Sequence, residues 1–389
     1  MKRHKGSACM GVLTAVTALV LMLVGPAPGA LAGEVKIGAL IPLTGFASGF
    51  GQNQKVALEL AVDEINQAGG IAGNTLDLIL YDTESKGEKA IFGFRRLATQ
   101  DGVLAVLGPF LSTEAEVCFP LANKYEVISF SASAAKPGLA AKHRPYGFTN
   151  STSDMDTLPP AVDYWKKAHG IKTVCVVTDI KDALNKSTGK IVMPKLFETR
   201  GIQIIGESDF VTGEMDFSAH VSKFKGLDPD GVAVSCTVAD AAGFIKEARK
   251  QGLNQPCIGG VAIQTPKFLE LAGKDADGTV TAASFWVESS DPVSQAFVKA
   301  FRERYEGRAP NPFAANMHEN VYIIKKIIED MGGLSGDLQA DRKKIQQGLA
   351  GLKNFKGVTG TFSMLETGTV DKTGYVLIAQ DGEWKRPEH

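Results

Sequence analysis

The chain predicts an α/β protein made of two parallel-sheet units, and three features of the sequence predict it. From Val35 onward, short apolar runs suited to buried strands alternate with stretches of helical period. The alternation halts after Asn150 and starts again, so two similar units follow one another. Once an N-terminal leader is set aside, 357 of the 389 residues are left, more than one hydrophobic core ordinarily supports.

The leader covers residues 1–32. Basic Lys2, Arg3 and Lys5 precede an apolar run at 12–24, and Ala30-Leu31-Ala32 forms an A-x-A cleavage site. The run is shorter than the roughly 20 residues a membrane span needs, so the expectation is a cleaved signal peptide and a periplasmic product. Cys9 lies ahead of the apolar run, whereas a lipidated cysteine would sit at the cleavage point. Cleavage removes three basic residues and no acidic one, turning a net charge of −1 into −4. Nothing in that balance attracts nucleic acid.

In the first unit, strands are expected at 35–41, 76–81, 103–107 and 127–130, with helices at 52–67, 86–100 and 113–124 between them. The helix at 52–67 follows from Val56, Ala57, Leu60, Ala61 and Ile65 at helical spacing, closed by Gly69-Gly70. The second unit reads as helix 158–169, strand 173–178, helix 190–200, strand 203–210, helix 217–224, strand 231–236, helix 239–251 and strand 257–261. A strand at 280–285 and helices near 292–305, 312–331 and 341–349 follow. These late helices have no sheet of their own and must pack on an earlier unit, so the chain crosses between units more than once. The tail, 360–363 with 375–380, reads as a hairpin-like pair.

In open parallel sheets ligands bind beyond the carboxyl ends of strands. Two loops there carry suitable groups. Gly108-Pro109-Phe110-Leu111-Ser112-Thr113 places Ser112 at a helix N-terminus, where a hydroxyl and backbone N–H groups favour an anion. Ser129-Phe130-Ser131-Ala132-Ser133 offers the same equipment at the next strand end, and together the loops suit the two oxygens of a carboxylate. The alternative is that each serine merely caps its helix or turn. Glu114 and Glu116 already complement that helix dipole.

Signals for catalysis are poor. There is no G-x-S-x-G, H-E-x-x-H or G-x-x-x-x-G-K-[ST] motif, and no histidine or cysteine pair has metal-ligand spacing. His318 with Glu319 mimics half of an acid–base pair, against the reading of a histidine lining a cleft or satisfied at the surface. Cys175, Cys236 and Cys257 lie in apolar runs as buried small hydrophobes, with one disulfide among Cys118 and these three left open. The Asn150-Ser151-Thr152 sequon suggests a surface loop.

Several segments, in this order, resemble one family over nearly all of the chain beyond the leader. They are Val35-Lys36-Ile37-Gly38 with Pro42-Leu43-Thr44-Gly45, the run from Ala61 through Asp63-Glu64-Ile65-Asn66 to Gly73, and Gly108-Pro109 with Ser112. Asp216-Phe217-Ser218, Ala248-Arg249-Lys250-Gln251-Gly252-Leu253 and Gly357-Val358-Thr359-Gly360 complete the set. The chain resembles the branched-chain amino-acid-binding proteins, periplasmic solute receptors of ABC importers with the type I binding-protein fold. That resemblance implies two doubly wound parallel-sheet lobes joined by a three-crossover hinge. The N-terminal lobe would be 34–149 plus 285–357 and the other 150–284 plus 358–389, with the ligand cleft between. It implies a monomer without cofactor or metal, a small carboxylate ligand and a membrane permease as partner.

Residue by residue, the family's carboxylate clamp falls on Ser112 and Ser133, and the carbonyl of Ser131 faces the ligand's amino group. Phe50 takes an aromatic position against the ligand, and its alternative is a core phenylalanine. Thr237 falls where the family has a ligand-contacting tyrosine, and Leu184 near another. The acidic partner of the α-ammonium is replaced by Val261, so the expected ligand is a small carboxylate, either an amino acid or an amine-free aromatic or 2-oxo acid. Asp179, Asp182 and Asp240 are the alternative sources of that charge. Two further functions compete with the importer receptor: a sensing subunit on the same fold coupled to a signalling partner, and a secreted hydrolase using His318 and Glu319.

Overall fold

The computed structural model describes residues 33–372 and 374–387. The leader, with its cleavage site and Cys9, lies outside these residues. In chain order the first region contains β1 (Glu34–Ile41), α1 (Ser48–Gln67), β2 (Thr75–Asp82), α2 (Gly87–Thr99), β3 (Ala105–Leu107), α3 (Ser112–Tyr125), β4 (Ser129–Ser131), α4 (Leu139–Lys142) and β5 (Gly147–Thr149). Its five strands form a parallel sheet in the order β2-β1-β3-β4-β5. Strand β1 is buried on both faces from Ile37 through Ile41, which is why it reads as an apolar run.

The chain then passes through α5 (Asp154–Thr157) and α6 (Pro159–His169) to β6 (Thr173–Asp179). Helix α7 (Ala183–Ser187) continues through a π turn at Thr188–Val192 into α8 (Met193–Glu198). Next come β7 (Gln203–Phe210), α9 (Ser218–Leu227), β8 (Gly231–Ser235), α10 (Val238–Lys250), β9 (Cys257–Gly259), α11 (Pro266–Ala272) and β10 (Val280–Ala283). These five strands take the parallel order β7-β6-β8-β9-β10, the same permutation as in the first sheet. Alternate residues of this sheet supply two cores: Cys175, Val177, Val232 and Val234 pack with α10, while Val174, Val176 and Ala233 pack with α6.

Helices α12 (Pro292–Arg304), α13 (Pro312–Asp330) and α14 (Leu338–Ala350) return to the first sheet, with α12 and α13 packed on α1. The tail differs from its sequence reading. Strand β11 (Phe355–Gly357) pairs with β12 (Gly360–Phe362), while β13 (Tyr375–Gln380) pairs with β10 and with β14 (Glu383–Lys385), all antiparallel. Phe362, Met364 and Val370 sit in the first sheet's core, so residues beyond 358 divide between the two sheets instead of all joining the second. The reason is apolar content: three large side chains in 362–370 have a core to enter only on the first side.

The connections between sheets converge on a buried polar junction. Glu319 and Lys372, with side chains 1% and 3% exposed, pair at 2.9 Å. Asn150 Nδ2 donates to Glu319 at 3.0 Å, and Lys372 also donates to Asn316 Oδ1 at 2.8 Å and to the Asn150 carbonyl at 3.3 Å. The Thr359 N–H donates to the second Glu319 oxygen. Asn150, Ser151 and Thr152 are all buried, so the sequon lies in a buried connecting segment after β5 and not in a surface loop. The four cysteines Cys118, Cys175, Cys236 and Cys257 are buried free thiols. Among the described residues, no helix is long and apolar enough to cross a membrane.

Candidate functional site

Each five-strand order reverses direction once, between β1 and β3 in the first sheet and between β6 and β8 in the second. Such a reversal opens a crevice at the carboxyl ends of the strands, because the following helices leave to opposite faces. Phe50 follows β1, and Ser112 follows β3; Leu184 follows β6, and Thr237 follows β8. The two crevices meet, since α3, which begins at Ser112, touches α7, which carries Leu184.

On the first wall, Gly108 turns the chain out of β3 at φ +113°, and a Cβ there would stand 2.3 Å from the Leu40 carbonyl. The loop then presents Phe110 and the start of α3. Ser112 is half-buried and its hydroxyl makes no hydrogen bond among the described residues, while the first-turn N–H groups have no intrahelical partner. Glu114 Oε2 accepts the Leu111 N–H at 3.0 Å, and burial pushes the Glu114 carboxyl up, which lessens its opposition to a second anion. Ser131 donates to the Pro109 carbonyl at 2.7 Å and accepts the N–H groups of Ser133 and Ala134 at 3.2 and 2.9 Å. The Ser133 hydroxyl donates to the Phe110 carbonyl at 2.8 Å. The Ser131 carbonyl accepts the Asn150 N–H at 2.8 Å, leaving one lone pair.

Beside the serines, Phe50, Phe110 and Phe313 form a closed aromatic trio with ring centroids 5.3, 5.7 and 5.4 Å apart. Each pair contributes about 0.5–1.5 kcal/mol beyond its buried area. Phe313 opens α13, roughly 200 residues from the loop it joins. No sequence spacing announces that meeting.

On the second wall, Thr237 caps α10 and donates to Asp240 at 2.8 Å. The three acids left as alternative counter-charges all brace loops. Asp179 accepts the N–H groups of Lys181 and Thr212 at 2.9 and 3.1 Å, Asp182 that of Asn185 at 2.8 Å, and Asp240 that of Gly213 at 3.2 Å. Val261 opens a short 3-10 turn after β9. Its neighbour across the fold is Asp154, an acid that no motif or periodicity in the sequence singles out. Asp154 is 2% exposed; its Oδ2 accepts the Thr188 hydroxyl at 2.6 Å, and its Oδ1 has no partner. Burial pushes its carboxyl up to about 6, against the Thr188 hydroxyl and the Val261 N–H, which both favour the ionised form.

His318 does not join these residues. It is buried between the rings of Phe297 and Tyr322, with Nε2 3.0 Å from Glu64. Glu319, the next residue on the helix, points instead into the polar junction with Lys372. The two side chains serve different neighbours and form no acid–base pair. The described residues hold no group of three or more metal-capable side chains.

A family profile described as "Periplasmic binding protein" matches residues 34–383. The leucine-, isoleucine-, valine-, threonine- and alanine-binding protein of Pseudomonas aeruginosa is 24% identical over 357 residues, covering 91% of both chains. The branched-chain amino acid transporter substrate-binding protein LivJ of Streptococcus pneumoniae, solved with isoleucine, superposes with a TM-score of 0.79 at 27% identity, covering 90% of this chain and 98% of that one. A solute-binding protein of an ABC transporter from Rhodopseudomonas palustris, solved with benzoate, superposes at 0.77 with 22% identity, covering 91% and 95%. With two repeated switch-point sheets and a profile match over almost all described residues, the chain belongs to the periplasmic binding protein family and is similar throughout to substrate-binding proteins of ABC transporters.

Proposed function

We propose that this protein captures a small carboxylic acid with an apolar body in the crevice between its two sheets and presents it to the permease of an importer. The observation that carries the reading is the first wall: an unengaged Ser112 hydroxyl and free helix N–H groups stand beside a three-ring aromatic surface. The first feature suits a carboxylate and the second a branched or aromatic side chain. Contact between α3 and α7 supports closure of the two regions on the ligand, turning about the three crossovers. All these residues come from one chain, so a monomer suffices. The leader would be cleaved after Ala32 to release the chain into the periplasm.

Relatives of this fold are found with isoleucine and with benzoate, both carboxylates bearing an apolar group. The test is calorimetric titration of the mature chain, refolded to strip carried ligand, with leucine, phenylalanine, 4-methyl-2-oxopentanoate and phenylpyruvate. Saturable binding of any of these, lost on esterifying its carboxyl group, supports the reading. No binding by the whole set overturns it.

A further inference from the structure

The helix end that suits the ligand's carboxylate already holds an acid. Glu114 stands in the first turn of α3, two residues beyond Ser112, and its Oε2 accepts the Leu111 N–H at 3.0 Å. The side chain is 0% exposed, and its Oε1 has no hydrogen-bond partner among the described residues. Beside the carboxyl lies the Thr83 hydroxyl, equally buried and also without a partner. Native structures keep few such atoms, and here two of them adjoin each other next to the anion site.

The surrounding charges do not neutralise Glu114. Asp82, at the end of β2, adds a second negative charge, and Cys118, one turn further along α3, is a buried free thiol whose proton burial holds in place. Lys86 and Lys89 at the start of α2 pair with Glu84, and Lys136 pairs with Glu116. Lys142 and His143 at the end of α4 and Lys186 of α7, the other helices that touch α3, make no ion pair with Glu114 among the described residues, and Asp182 caps α7.

An ionised ligand carboxylate at Ser112 would put two anions on one helix N-terminus. That terminus carries about half an elementary positive charge, which offsets one anion in part and not two. A second like charge at this range disfavours ionisation of the less solvated acid. Glu114 is that acid, because the ligand's carboxylate gains the Ser112 hydroxyl and the free first-turn N–H groups. Protonated, Oε1 donates to the Thr83 hydroxyl and gives both orphaned atoms a partner, while Oε2 keeps the Leu111 N–H.

We infer that the protein takes up a proton onto Glu114 Oε1 as it binds the ligand's carboxylate, so that anion and proton are captured together. This rests on the reading that the first wall holds the carboxylate. The proton comes from the buffer, and the O–H bond on Oε1 is the only bond formed. Affinity is then highest where Glu114 is protonated before the ligand arrives. It falls by up to about tenfold per pH unit above that point, and levels off where Glu114 stays ionised in both states.

The experiment titrates the mature protein, refolded to strip carried ligand, with the tightest binder among leucine, phenylalanine, 4-methyl-2-oxopentanoate and phenylpyruvate, from about pH 5.5 to about pH 8.5. Calorimetry in two buffers of different ionisation heat counts the protons taken up. The wild type should lose affinity by roughly tenfold across this range and take up close to one proton where the fall is steepest. Glu114→Gln keeps the acceptor for Leu111 and carries the donor of the protonated acid. It should bind with nearly constant affinity, matching the wild type at the acid end and exceeding it by roughly tenfold at the alkaline end. A glutamate that only braces the loop would give a variant weaker at every pH. Asp154 titrates at about 6 on the second wall, so the same titration is run on Asp154→Asn, where the uptake should persist. If Glu114→Gln does not fold, difference infrared spectra of Asp154→Asn decide, through a protonated-carboxyl band that appears when ligand is added. A pH-independent wild type, an absence of proton uptake, or uptake lost in Asp154→Asn and kept in Glu114→Gln overturns the inference while leaving carboxylate capture intact. No binding by any of the four acids defeats the carboxylate reading and this inference with it.

Discussion

The two walls of the crevice are braced by different groups. On the first, Ser131 and Ser133 are tied to the loop at 109–110 and the three phenylalanines cover one another, while the Ser112 hydroxyl and Glu114 Oε1 are left without partners among the described residues. On the second, Asp179, Asp182 and Asp240 are spent on loops, but Asp154 keeps a vacant oxygen. The comparison teaches that the loops of both walls are braced internally, while each wall keeps polar atoms without a partner. A ligand that satisfies groups of both walls at once would favour the closed state, because a ligand shifts a conformational equilibrium only through contacts it makes better in one state.

The largest expected effect tests whether the walls share one support. Lys372→Met strands the buried Glu319 and should cost about 3–5 kcal/mol in urea unfolding monitored by circular dichroism. A loss under 1 kcal/mol would mean the junction is not what joins the two regions.

The vacant oxygen of Asp154 shows most directly in ligand-free stability. Asp154 has its native pKa raised, from near 4 to about 6, so the native chain holds its proton longer than the unfolded one. Stability from this group is fully present below about pH 4 and falls as pH rises to 6. Asp154→Asn should therefore be more stable than the ligand-free wild type by about 3 kcal/mol at pH 7.5, with the difference gone at pH 4. Equal stability of the two proteins across this range would show that Oδ1 is already satisfied.

Within the first wall, Ser112 and Ser133 should separate. Ser112→Ala breaks no internal bond, so unfolding should change by less than about 0.5 kcal/mol, while loss of a hydrogen bond to a carboxylate should weaken ligand by roughly 10- to 100-fold. Ser133→Ala removes a donor from the Phe110 carbonyl and should cost about 1 kcal/mol of stability. If stability falls for Ser112→Ala and not for Ser133→Ala, the assignment of free and committed hydroxyls is reversed.

The alternation of strands and helices was legible because burial on both faces leaves long apolar runs, as in β1 and β6. β5 was not: Gly147–Thr149 is flanked by Arg144-Pro145 and Asn150, so no longer apolar run announces it as one does the equally short β3 and β4. Helix α7 begins at Ala183, earlier than the apolar spacing indicated, because Asp182 caps it and the π turn then shifts the phase. The serine loops could be found from strand ends alone. Asp154 could not, since what distinguishes it is contact with Thr188 and Gly260, residues 34 and 106 positions away that the chain reveals only when folded. His318 was misleading for the converse reason: a histidine beside a glutamate is suggestive in sequence, but successive helix positions point about 100° apart.

The junction at Lys372 also sets an order of events during synthesis. Glu319 is made 53 residues before its cation, and Phe362, Met364 and Val370 complete the first core only shortly before it. Until the chain has reached residue 372 of 389, the first sheet would have to bury an unpaired carboxylate and leave part of its core open to water. The region that starts the chain thus cannot finish folding as it leaves the ribosome. Its completion waits for Lys372 and for the apolar segment 362–370 just before it.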